Sequence, residues 1–451
     1  MSRFDAVIVG AGFAGLSAAV RLTGRGARVL VLEAKARLGG RATSFVDRDS
    51  GETVDNGQHV LLGCYRDTFR FLDDIGALSN VRQQPQLAAT MIDRLGRKSR
   101  LVCPALPSPL HLVAGVLDWD GISWRDRLSV FAMAAPLKLA RRSLEPGSTL
   151  QAASAGETVE NFLLHHGQSA RMCEMFWTPL ALAALNQRPE LAAAPTFVRI
   201  LAEMFGGDAK AAAVAFAVRP LQEAYAEPAR QYLAARGSEV RTGASATVKI
   251  DGDRVAGVEA NGESWDVDRV ISAVPWFALS GLFGSVPPPL ADVVDRARRM
   301  GSSPIVTVNL WLDRRVLDDT FVGLPGRAMQ WVFDKGALFG DGASHLSTVS
   351  SGASTLAGLS NDELVSLAMA DLSAALPAMR AARLVRASVI REPHATFSLA
   401  PGQPARPGTE TPVRGFYLAG DWIETKLPAT IESAVRSGHR AADVASGHLV
   451  I

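Results

Sequence analysis

The sequence predicts an α/β protein: a Rossmann-like parallel sheet assembled from both ends of the chain, and a discontinuous second domain of mixed β-sheet and helical cap between them. Three observations predict it. Ala6-Val7-Ile8-Val9 is a short apolar run that breaks at Gly10-Ala11-Gly12-Phe13-Ala14-Gly15, after which Leu16, Ala19, Val20 and Leu22 recur at helical spacing. Near the other terminus Gly415-Phe416-Tyr417-Leu418-Ala419 reads as a strand ending at Gly420-Asp421, with a helix beginning near Thr430. Between these ends, residues 103–220 are helical, alanine-rich and punctuated by Pro, while residues 286–391 carry alternating strand such as Ile305-Val306-Thr307-Val308-Asn309-Leu310-Trp311-Leu312.

The first glycine turn has a definite chemistry. Gly10 permits the tight turn, Gly12 lets the backbone approach a pyrophosphate, and Gly15 lets the helix pack close to the strand. Ala11, Phe13 and Ala14 complete this turn at the helix amino end, where the dipole favours phosphate. The second strand, Arg28-Val29-Leu30-Val31-Leu32, delivers Glu33 roughly twenty residues after the turn, where a carboxylate accepts from ribose hydroxyls. Ala34-Lys35-Ala36-Arg37-Leu38-Gly39-Gly40-Arg41 follows; its glycine pair lets the chain bend back over a diphosphate, and Arg41 adds a charge-assisted contact. This opening resembles the flavin-binding signature of the amine oxidase and phytoene desaturase superfamily. The resemblance implies FAD rather than NAD, with Glu33 and Ala34 at its ribose end.

Bulk properties exclude several classes. At 451 residues with 48% hydrophobic content, the chain is long enough for two or three domains with large cores. A net charge of +2 gives no nucleic-acid footprint, and Cys64, Cys103 and Cys173 are too scattered for a disulfide framework or a four-ligand zinc site. A reducing, cytoplasmic location is expected: the first strand begins at once, leaving no room for a cleavable signal, and no uncharged apolar run reaches the ~18 residues of a spanning helix. The stretch from Arg125 to Arg142, with Leu128, Val130, Phe131, Met133, Leu137 and Leu139 between basic ends, reads in two ways. It is either an ordinary amphipathic helix on its own domain or a peripheral contact with anionic lipid at the inner membrane face through Lys138, Arg141 and Arg142.

Along the chain, residues 42–46 and 52–55 read as two strands joined through a turn at 47–51. They lead to Asn56-Gly57-Gln58-His59-Val60-Leu61-Leu62-Gly63-Cys64-Tyr65, a polar loop entering an apolar run. The resemblance implies that this loop passes beside the flavin, so Gly57, Gln58 and His59 are cofactor candidates; His59 is equally readable as a structural, hydrogen-bonded histidine. Residues 86–100 resemble a hairpin, and the following insert sits where a substrate cap would lie. Of its aromatic residues Trp119, Trp124, Phe131, Phe176, Trp177, Phe197 and Phe205, most are expected in the core and a few around an apolar pocket. Asp-Gly and Asn-Gly turns at 251–252 and 261–262 predict a three-stranded meander, and Val270 to Val274 a return strand of the first sheet. By the resemblance, Val248 holds the adenine through its backbone. Helical spacing recurs over 362–376, and the Pro-rich stretch 401–412 marks a boundary. The expected cofactor segments are therefore 1–85, 221–285 and 395–451, and the substrate segments 86–220 and 286–394.

In the last segment Asp421 is placed for ribityl hydroxyls, and the Ala429, Thr430 and Ile431 amides for the flavin pyrimidine oxygen. The stretch 55–65, together with Leu418-Ala419-Gly420-Asp421-Trp422 and residues 427–438, resembles the hydroxysqualene dehydroxylases, squalene-associated FAD-dependent desaturase-like enzymes. That implies reductive removal of an allylic hydroxyl from hydroxysqualene, giving squalene and water. His59 and Glu424 are the candidates for proton delivery or cation stabilisation. No second GxGxxG unit appears, so a separate flavin-reducing partner or a free reductant is expected; no cysteine lies in the carboxy-terminal flavin segment, so FAD is expected to bind noncovalently. A carotenoid or phytoene-type desaturase, an amine oxidase, and a noncatalytic flavin-bearing partner of squalene-synthesis enzymes remain the alternatives.

Overall fold

The computed structural model describes residues 4–47, 51–145, 148, 150–342 and 344–447. The turn expected at 47–51 thus falls partly outside the described residues, although its flanking strands Ser44–Val46 and Thr53–Asp55 pair antiparallel as expected.

Five parallel strands form the first sheet, in the order Glu239–Thr242, Val29–Glu33, Ala6–Val9, Val270–Ser272 and Phe416–Leu418. Ala6–Val9 and Val29–Glu33 are buried throughout, as a parallel sheet covered on both faces requires. The helices Phe13–Thr23 and Ile431–Ser446 lie against each other across the ends of the chain. Gly438 makes that approach possible, because a Cβ there would collide with the Ala14 carbonyl and the Ser17 hydroxyl. The meander occupies Ala246–Asp251, Arg254–Ala260 and Glu263–Trp265.

The second sheet has seven strands, in the order Leu384–Phe397, Ser302–Leu312, His345–Ser351, Trp331–Asp334, Phe321–Gly323, Ala88–Ile92 and Lys98–Val102. It is mixed: Phe321–Gly323 runs parallel to Ala88–Ile92 and the remaining neighbours are antiparallel. The hairpin near residue 90 and the strands beyond 300 therefore meet in one sheet despite their separation in sequence. Its outer face packs on the helix Asn361–Ala375 through Leu364, Ala368 and Leu372. Its inner face meets the helical insert, whose members include Leu110–Asp118, Ala134–Ser143, Thr178–Leu185 and Ala194–Gly206. One strand within that insert, Val214–Ala217, was not expected; it pairs with Val60–Leu62 and Val81–Gln83 and ties the insert to the loop after Gly57. The stretch from Arg125 to Arg142 is not one continuous α-helix but Trp124–Ser129, a 3-10 turn at Val130–Met133, and Ala134–Ser143. Among the described residues no helix is long and apolar enough to cross a membrane.

Candidate active site

A single cavity of about 860 Å³ runs from the carboxyl ends of the parallel strands to the inner face of the seven-stranded sheet. Gly10, Gly12, Phe13 and Ala14 line its first end. Gly10 has φ +107°, and a Cβ on it would stand 2.9 Å from the Ala273 carbonyl oxygen. The helix Phe13–Thr23 has Gly12 as its N-cap, no capping side chain and no acid in its first turn, which leaves its terminal amides and positive dipole for a phosphate. Ala11 and Gly15 do not reach the cavity. The Ala11 N–H donates to Glu33 Oε2 at 2.8 Å, and Gly15 faces the Gly10 carbonyl, so both act by shaping the turn.

Glu33 also accepts from the Lys35 N–H at 2.9 Å through Oε1. Each carboxylate oxygen keeps a lone pair, so the buried, oriented group can still accept from a ribose diol, with Ala34 beside it on the cavity wall. The second turn has Gly39 and Gly40 at φ +103° and +63°, and a Cβ on Gly40 would stand 3.3 Å from Gly12 Cα. Both turns thus close on one narrow channel. Tyr225 clamps them: its hydroxyl lies 2.9 Å from the Gly39 carbonyl oxygen and 2.8 Å from that of Ala42, while its ring stacks on Phe13 at 3.6 Å. No sequence pattern marks Tyr225, because it comes from a distant segment and acts on backbone.

Arg41 lines the same channel and forms an ion pair with the buried Asp421 at 2.5 Å, while its other arm donates to the Ala395 carbonyl at 2.9 Å. The expected diphosphate cation is therefore already tied to the expected ribityl acid, joining the two ends of the chain at one point. The Gly420 N–H donates to Ser437 Oγ at 2.7 Å, and the Trp422 indole donates to the Val274 carbonyl at 2.9 Å. Ala429, Thr430 and Ile431 line the cavity at the amino end of Ile431–Ser446, but the Thr430 N–H donates to the Pro428 carbonyl at 2.8 Å. Of the three amides expected to face a flavin oxygen, Thr430's is spent within the loop.

Gly57, Gln58 and His59 also line the cavity. Gln58 is fixed by an unexpected group, Lys335, whose Nζ lies 2.9 Å from Gln58 Oε1 and 2.8 Å from Asp55 Oδ2. His59 Nδ1 lies 3.3 Å from the Gly57 carbonyl oxygen, and burial pushes its imidazole below the ordinary value, favouring the neutral ring. With Nδ1–H turned to the Gly57 carbonyl, the neutral ring presents an unprotonated Nε2 and has no proton to give.

Two further expected site residues lie off the cavity lining. Glu424 is outside the cavity: half-exposed, it pairs with Arg406 at 3.1 Å and accepts from the Lys426 N–H at 2.6 Å. Glu424→Gln is accordingly expected to change the single-turnover rate by less than about threefold, measured with flavin content unchanged. Val248 is buried in the meander opposite Val258, and the strand instead meets the cavity at Ala246, after Ala244 and Ser245. The alternation of a strand leaves backbone contacts undetermined to within a residue or two.

Beyond Gly57 the lining turns apolar. Trp119, Phe176, Phe205 and Phe216 come from the insert, and Phe333 and Trp331 from the strands facing it. The lining thus pairs a polar channel shaped for a dinucleotide with a greasy chamber.

The sequence profile of flavin containing amine oxidoreductases matches residues 13–446. The chain belongs to this family. As a flavoenzyme of it, the chain is similar to the hydroxysqualene dehydroxylase of Rhodopseudomonas palustris, with 30% identity covering 97% of each chain. It is also similar to that of Zymomonas mobilis, with 28% identity covering 98% of this chain and 99% of the relative. More distant is the 15-cis-phytoene desaturase of Solanum lycopersicum, at 24% identity covering 97% of this chain and 77% of that one. Among solved structures, putrescine oxidase shares the fold with a TM-score of 0.74 at 19% identity, covering 99% of both chains. The flavoenzyme is an FAD-dependent oxidoreductase. Its uncapped helix, paired glycine turns and preset Glu33 fit the phosphates and ribose of that cofactor.

Proposed function

We propose that the flavoenzyme reductively removes the allylic hydroxyl of hydroxysqualene, giving squalene and water. The observation that carries this reading is the continuity of the dinucleotide channel with an aromatic-lined apolar chamber. The names of the full-length relatives support it. Bound FAD, in its reduced form, supplies the hydride. The protein's part is to hold the reacting carbon at the junction near Gly57, to exclude water with the aromatic walls, and to supply a proton to the departing oxygen, because hydroxide is a poor leaving group. A separate reductant must recharge the cofactor. Chemically reduced, FAD-loaded protein is expected to convert hydroxysqualene to squalene. New conjugated double bonds in phytoene, with hydroxysqualene untouched, would instead favour desaturation.

FAD is held noncovalently in this reading, so acid precipitation leaves the yellow colour in the supernatant; a yellow pellet would contradict it. The reading also places the protein at a membrane surface, since a C30 substrate partitions into lipid. Trp124, Leu128 and Phe131 are 65%, 56% and 48% exposed on the helix Trp124–Ser129 and the 3-10 turn after it, and the exposed cations Lys138 and Arg142 follow on the next helix. Replacing the three apolar residues by Ser is expected to weaken co-sedimentation with anionic vesicles at least tenfold, from the ~1.5–3 kcal/mol that burying each such side chain contributes. Undiminished sedimentation would rule this contact out.

A further inference from the structure

Removal of Glu424 from the site and the neutral character of His59 leave the proposed reaction without an acid. We infer that Glu392 delivers the proton to the departing hydroxyl; this rests on the dehydroxylation reading above.

The seven-stranded sheet places it. In the register of the edge strand, Glu392 stands opposite Ile305 and Ile390 opposite Thr307. On the far side of Ser302–Leu312 the same two residues face Ser351 and Val349, and Val349 in turn faces Trp331. Each of these residues lines the cavity, so Glu392 sits in the floor of the apolar chamber. Its other neighbours are those of the cofactor channel. Asn56 Nδ2 donates to Glu392 Oε2 at 3.2 Å and to the Arg41 carbonyl at 2.9 Å, and Asn56 and Gly57 line the junction. Glu392 is therefore a carboxyl group where the two halves of the cavity meet, which is where the C–O bond must break.

The other titratable groups on the wall are committed elsewhere. Glu33 is held by two backbone amides beside Lys35 at the ribose end, and Asp421 by the Arg41 guanidinium. Burial holds the His59 imidazole neutral and pushes the Tyr65 hydroxyl far above its ordinary value, so Tyr65 keeps its proton. Glu392, by contrast, forms no ion pair among the described residues; besides Asn56 it receives only the His394 N–H, at a long 3.4 Å on Oε1.

The step balances. The C–O bond of the allylic alcohol breaks and its electron pair leaves with oxygen, which takes the carboxyl proton to become water. The incoming hydride forms the new C–H bond, so the alcohol loses its oxygen as water and Glu392 is left as the carboxylate.

Glu392→Gln keeps the side chain's shape and an oxygen for Asn56 but has no acidic proton. FAD-loaded, reduced E392Q is expected to convert hydroxysqualene about 10²–10⁴-fold more slowly than wild type in a single turnover. Its flavin-to-protein ratio should be unchanged. Hydroxysqualene affinity, read without turnover from quenching of the chamber tryptophans, should shift by less than about threefold. The acetate ester of the same alcohol departs without a proton, so E392Q should process it within about tenfold of wild type. Equal losses on alcohol and ester would make Glu392 a positioning group and overturn the assignment, as would a rate on the alcohol within tenfold of wild type. Wild-type protein that makes no squalene refutes the dehydroxylation reading and the assignment together, whereas active wild type with undiminished E392Q refutes the assignment alone.

Discussion

Gly15→Ala is expected to yield folded protein that holds its flavin weakly, with FAD affinity reduced about five- to 150-fold. A Cβ at this position would lie inside the van der Waals radius of the Gly10 carbonyl oxygen and 3.2 Å from the Ala273 side chain. Gly10 has little freedom to yield, because its own φ of +107° and its approach to Ala273 fix it against the neighbouring strand. The helix Phe13–Thr23 must move instead, carrying its terminal amides away from the phosphate position. Overpacking strain of about 1–3 kcal/mol, charged against the bound state, corresponds to roughly a five- to 150-fold loss of affinity. Flavin absorbance per protein after dialysis against graded FAD measures it; wild-type retention would show that Gly15 does not set the channel.

Lys335→Met is expected to destabilise the flavin-loaded protein by about 3–5 kcal/mol, because removing one partner leaves a buried charge unpaired. The side chains of Lys335 and Asp55 are 5% and 6% exposed, and Asp55 also receives the Ser44 hydroxyl and the Leu221 N–H. Deleting the ammonium strands Asp55 and frees Gln58 Oε1, so the loop at 56–59 loosens against the cofactor channel. The double variant Asp55→Asn with Lys335→Met removes the stranded charge and should lose less stability than Lys335→Met alone, since contacting residues couple. Denaturation of wild type, Lys335→Met, Asp55→Asn and the double variant at saturating FAD tests this, and strictly additive losses would exclude the pair as a coupled unit.

The two ends of the chain were legible because their signals are local. The Gly10–Gly15 turn, Glu33, the Gly39–Gly40 pair and Gly420-Asp421 are each suited to act through backbone or a neighbouring carboxylate, and each needs its residue type at fixed spacing. Arg41 and Asp421 were both singled out, yet their ion pair was not, since a contact across the whole length of the chain leaves no periodicity. Tyr225 and Lys335 were missed for the same reason. Glu392 did leave a trace: Ile390 and Glu392 share a face by strand alternation, and an acid there is anomalous on an apolar floor. Glu424 misled because it follows the Gly-Asp turn, while the loop turns its side chain outward to Arg406.

In the proposed reaction one cavity brings a reduced flavin and an isoprenoid alcohol together. Anaerobic titration of photoreduced, FAD-loaded protein with hydroxysqualene, followed by flavin absorbance and product analysis, tests it most directly. Oxidised-flavin absorbance is expected to return with one squalene formed per flavin; a flavin that stays reduced while hydroxysqualene is bound and recovered unchanged would overturn the dehydroxylation reading.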